Sequence, residues 1–138
     1  MTTQTETRPA APATTPYERL GGQSVLRATV DRFYDLMEAE PAYAELRALH
    51  EADLTPMREN LTGFLTGWAG GPRDWFAGGK CVMSLHGRLP ITATTASQWT
   101  QAMHRAIDDI VGQRDAEIAA AMQDRLAQMA QGMTRRAA

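Results

Sequence analysis

Large apolar side chains recur along the chain at steps of three and four, the spacing that gathers them on one face of an α-helix. Leu26, Val30, Phe33 and Met37 form the first such stripe, with Tyr34 one position round from Phe33. Met57, Leu61, Phe64, Leu65 and Trp68 form a second stripe. Trp99, Met103, Ala106, Ile107 and Ile110 make a third, and Ile118, Met122, Leu126, Met129 and Met133 a fourth. There is no sustained two-residue alternation, Asn-Gly hairpin or internal repeat. The pattern predicts an all-α fold with four substantial helices and several short ones.

Punctuation between the stripes sets the expected boundaries. Thr15-Pro16-Tyr17-Glu18 reads as a capping box with proline in the first turn, opening a short helix that Gly21-Gly22 stop. Pro41 ends the first long helix, and a short helix through Tyr43 and Leu46 follows. Thr55-Pro56 begins the second long helix, and Gly70-Gly71-Pro72 ends it. Residues 73–90 read as irregular, with a short apolar-rich piece from Cys81 to His86. Thr95-x-x-Gln98 reads as a second capping box opening the third long helix, which Gly112 breaks. The fourth ends at Arg135 and Arg136, where positive charge suits a helix C-terminus. Residues 1–15 hold no large apolar side chain after Met1 and cannot offset their ordering entropy, so they read as a disordered tail before a domain over 16–134.

Composition narrows the task mainly by exclusion. The chain has 138 residues, 43% hydrophobic and 22% charged, an ordinary balance for one globular domain. A net charge of -2 gives no general reason to bind nucleic acid or anionic lipid. Cys81 is the lone cysteine, which excludes an internal disulfide, a four-cysteine zinc site and an iron–sulfur cluster held by the chain's own thiolates. Lys80 alone adjoins Cys81, so an inert thiol is favoured over a redox sensor. No run approaches the ~18 apolar residues of a membrane span, and the N-terminus lacks a secretory signal. The expectation is a cytoplasmic protein with neither nucleic-acid nor membrane partners.

His50, His86 and His104 are the histidines, and none lies in a His-Glu-x-x-His motif or beside a Gly-x-Ser-x-Gly turn. Phosphate-loop and Rossmann fingerprints are also missing. His86 is open to two readings. It is a solvated loop histidine, or it is an axial ligand, because one neutral imidazole suffices to hold a haem iron and leave its opposite face open. A flat apolar cofactor would need a slot between helices, walled by side chains such as the second stripe. Tyr34 and Trp99 likewise read either as core aromatics or as O–H and N–H donors toward a bound ligand.

The order of several short motifs resembles the truncated haemoglobins, most closely their group II branch. They are Tyr17-Glu18-Arg19-Leu20-Gly21-Gly22, Asp31-Arg32-Phe33-Tyr34, Gly67-Trp68-Ala69-Gly70-Gly71-Pro72, His86, Pro90-Ile91, and Trp99 with Met103. The resemblance covers about residues 16–131. It implies a truncated globin-like two-over-two helical sandwich around haem b (iron protoporphyrin IX). Carried over position by position, His86 becomes the proximal iron ligand, while Tyr34 and Trp99 become distal donors. Met57, Leu61, Phe64 and Leu65 fall on the distal helix wall, and His50 on a variable distal position. Many group II members place arginine just before the proximal histidine. Here that residue is Leu85, and the segment from Pro72 to His86 is short, so Arg88 or Lys80 is left for the haem propionates.

The resemblance therefore implies a protein that binds dioxygen, nitric oxide or carbon monoxide at a five-coordinate iron. Two further readings stay open. One is a nitric oxide dioxygenase or peroxidase-like enzyme, served by an unidentified reductase. The other is a haem-free globin-like interaction module.

Overall fold

The computed structural model describes residues 14–77 and 90–137, with side chains through residue 134. The expectations placed on residues 1–13 and on Lys80, Cys81, Leu85, His86 and Arg88 lie outside the described residues. All regular structure among the described residues is helical: α1 (Pro16–Leu20), α2 (Gln23–Ala39), α3 (Ala44–Ala48), α4 (Thr55–Trp68), α5 (Asp74–Ala77), α6 (Ala93–Ile110) and α7 (Ala116–Ala137). A 3-10 turn over Pro41–Tyr43 leads into α3.

The expected punctuation holds at the first helix. Thr15 caps α1, its hydroxyl accepting from the Glu18 N–H while the Glu18 carboxylate accepts from the Thr15 N–H. Gly21 closes α1 with φ at 94°, a left-handed conformation that costs glycine little and other residues much. The Tyr17 N–H then donates to the Ala69 carbonyl at 2.9 Å, which fastens α1 to the end of α4.

Two boundaries differ from the sequence reading. The second capping box is Thr92 with Thr95, not Thr95 with Gln98, so α6 starts at Ala93. Gln98 is needed elsewhere: its side chain accepts from the Leu46 N–H and donates to Glu45, tying α6 to α3. Within the stretch read as irregular, Asp74–Ala77 forms one helical turn. A stripe cannot reveal so short an element, because one turn holds too few residues to display a period.

The architecture is the two-over-two sandwich, with α2 against α4 and α6 against α7. α2 also packs on α6, and the core forms where the pairs meet, around Leu26, Val30, Phe33, Met103, Ile107 and Met122. Asp115 holds the start of α7 by accepting from the Ile118 N–H, and it pairs with Arg19 of α1. Both contacts hold its carboxyl below the usual range. No helix among the described residues is long and apolar enough to cross a membrane.

Candidate functional site

The second apolar stripe does not become core in the way its period suggests. Leu65 is buried, but Met57, Leu61, Phe64 and Trp68 stay half-buried at the edge of the core. The buried face of α4 is instead built from Leu65, Thr62, Thr66 and Gly67. Two threonines can sit there because each hydroxyl donates back along its own helix, Thr62 to the Arg58 carbonyl and Thr66 to the Thr62 carbonyl. Small polar residues inside and large apolar residues half outside is the reverse of what water would favour. Met57, Leu61 and Phe64 lie at steps of four and three, so α4 carries an apolar stripe left half-open.

Aromatic rings floor the space beside that stripe. Trp99 of α6 meets Phe33 edge to face at 5.5 Å between centroids, and Phe33 meets Tyr34 at 4.8 Å. Tyr34 in turn meets His50, just beyond α3, at 6.0 Å. The structure thus brings Trp99, Tyr34 and His50 into one chain of rings through Phe33. The expected periodicity of α2 accounts for this, since it buries both Phe33 and Tyr34. α2 packs on both α4 and α6, whereas α4 and α6 scarcely touch each other among the described residues.

Polar atoms at the site are arranged to donate. Tyr34 is 5% exposed, and its hydroxyl has no hydrogen-bond partner among the described residues. Burial pushes its pKa well above the usual tyrosine value, only partly opposed by the Arg58 charge, so it stays a neutral donor. The Trp99 indole N–H also has no partner among the described residues. His50 Nδ1 lies 2.9 Å from the Leu46 carbonyl, so that nitrogen carries the proton and donates. An unpaired buried hydroxyl normally costs about 1–3 kcal/mol, and native structures keep few of them without a reason.

The sequence reading missed three contributors. Trp75 and Phe76 of α5 pack against Phe64 at 6.0 and 5.8 Å, extending the aromatic wall beyond the stripe. Trp75 also donates to Asn60 at 2.9 Å. Gly63 and Gly67 make room for these rings, because a Cβ at Gly63 would lie 2.8 Å from Trp75 Cβ. The glycine pair at a step of four was the available signal. Arg58 is the third. Its Nη1 lies 2.9 Å from Asp31 and its Nη2 3.0 Å from Asp35. His104 is exposed and lies apart from the ring chain.

Both features fit a flat apolar cofactor: a half-open stripe, and beside it one buried and one half-buried donor without acceptors among the described residues. A family model described as bacterial-like globin matches residues 15–134. Among solved structures, the chain is similar to a group II 2-on-2 haemoglobin from Agrobacterium tumefaciens, at 29% identity over 91% of this chain and 97% of the other, with TM-score 0.83. It is similar to a cold-adapted truncated haemoglobin from Pseudoalteromonas haloplanktis at 30% identity, covering 87% and 97% of the two chains, with TM-score 0.81. A group II truncated haemoglobin from Bacillus anthracis matches at 28% identity over 88% and 91%, with TM-score 0.76. No curated relative matches.

Proposed function

This chain belongs to the bacterial-like globin family, as a truncated haemoglobin of the group II type, and on that premise we propose how its residues bind a diatomic gas. Membership brings haem and the binding of gases such as dioxygen. The finer reading is haem b against the α4 stripe, with His86 as proximal ligand, the sixth position open at rest, and Tyr34 and Trp99 as distal donors. When bound, the haem would supply a ferrous iron able to take a diatomic ligand. Met57, Leu61 and Phe64 would hold the porphyrin and keep water from it, and Arg88 would face its propionates.

Tyr34 would donate its O–H to the ligand, and Trp99 its N–H. A hydrogen bond to a charged partner is worth about 1.5–3 kcal/mol, and ~1.4 kcal/mol is tenfold in an equilibrium or rate. Dioxygen gains more than carbon monoxide, because its outer atom is the better acceptor when bound. The observation that carries this reading is the buried, unpartnered Tyr34 hydroxyl beside a half-open apolar stripe. Flash photolysis and stopped flow on Tyr34→Phe test it. Dioxygen dissociates about tenfold faster or more, and carbon monoxide affinity changes little. Equal changes for both ligands, or none, would contradict the donor role.

A further inference from the structure

Arg58 follows Met57 on α4, and its side chain is only 17% exposed despite its charge. Three carboxylates of α2 surround its guanidinium: Asp31 at 2.9 Å, Asp35 at 3.0 Å and Glu38 at 3.8 Å. Arg58 Nη1 also donates to the Asp31 carbonyl at 3.3 Å. These acidic positions bracket Tyr34 on its own helix, one turn before it, next to it, and one turn after it. The guanidinium carbon lies 5.5 Å from the centroid of the Tyr34 ring, within cation–π range. Phe33 and His50 meet the same ring edge to face.

The two ends of the α2–α4 pair are tied differently. Gln23 reaches the Thr66 hydroxyl at 3.5 Å near the start of α2, a weak neutral contact. Where Tyr34 sits, the tie is one guanidinium shared among several carboxylate and carbonyl oxygens, a planar multidentate arrangement that lysine cannot copy. The strongest polar tie between these helices therefore lies against the one buried tyrosine of α2.

We propose that Arg58 is a positioning residue for Tyr34: it clasps the α2 turn that carries the tyrosine and covers one side of its ring, fixing where the phenol O–H is held relative to the α4 stripe. The inference rests on the reading of Tyr34 as the ligand's donor. Without the clasp the ring tilts and the O–H spends less time on the ligand.

A double-mutant cycle on the haem-loaded protein tests this, since residues that act through one another depart from additivity. Arg58→Met keeps the apolar stem and removes the charge. It should release dioxygen roughly three- to tenfold faster, the size of one cation–π contact. In a Tyr34→Phe background it should add nothing, and Arg58→Lys should restore only part of the loss. Asp35→Asn loosens the clasp from an exposed carboxylate and should act in the same direction, even if Arg58→Met folds poorly. Equal acceleration in both backgrounds, or none in either, overturns the inference. Ring resonances of Tyr34, read by NMR in the carbon monoxide form, separate it from the functional reading. Should Tyr34→Phe leave dioxygen release unchanged, the donor role fails and the resonances decide the clasp. A shift in Arg58→Met supports it, and unmoved resonances overturn it.

Discussion

Tyr34 shows how one residue carries two readings that sequence alone cannot part. Its place beside Phe33 in the α2 stripe predicted burial, and burial is what the structure has. What the sequence could not say is that the hydroxyl would be buried without a protein acceptor among the described residues, because partners for a side chain come from distant elements. Burial raises the Tyr34 pKa in the folded state above its unfolded value near ~10. Its contribution to stability is therefore fully present below pH ~10 and is lost as pH rises through the higher folded value. Tyr34→Phe should lose less stability than the parent along this alkaline limb, measured by urea unfolding across pH. Identical limbs in the two proteins would mean that the phenol is not held away from water. Arg58 was legible only as a charged residue on α4. The steps of four and three among Asp31, Asp35 and Glu38 were in plain view, but the cation that pairs with them sits 20 or more positions away.

At the scale of elements, periodicity found every long helix and erred where local chemistry competes with it. α2 buries the side chains its stripe predicts, since Leu26, Val30, Phe33 and Met37 are all in the core. α4 does not, because Thr62 and Thr66 satisfy their hydroxyls on their own helix and so lose the usual penalty of burial. Met57, Leu61 and Phe64, left half-open, are three of the four side chains that the family resemblance assigned to a cofactor wall, while the fourth, Leu65, is buried. Gly63 tests how tightly that wall is built. Gly→Ala inside a helix usually gains about 1 kcal/mol in propensity. Here the new Cβ would press on Trp75 Cβ, which cannot swing away as a side-chain tip would. Overpacking of this kind costs about 1–3 kcal/mol. Gly63→Ala should therefore lower the unfolding midpoint, reflecting a stability loss of up to about 2 kcal/mol net, and a stabilised variant would show that α5 is loosely held.

Among the described residues, α2 bridges the two helix pairs, while α4 and α6 scarcely touch each other. The fold class followed from stripes and breakers, while the topology depended on which stripes face one another. The haem assignment came from motif order, because a lone histidine such as His86 has no spacing signature, and the ring chain that floors the site joins residues far apart in sequence. The central claim is that the chain takes haem against the α4 stripe, with His86 on the iron. Titration of the purified protein with hemin, followed by Soret absorption, tests it most directly. The expected result is saturation at one hemin per chain, with a His86→Gly variant whose altered spectrum is restored by added imidazole. A chain that takes up no hemin, or a His86→Gly spectrum identical to the parent's, would contradict the claim.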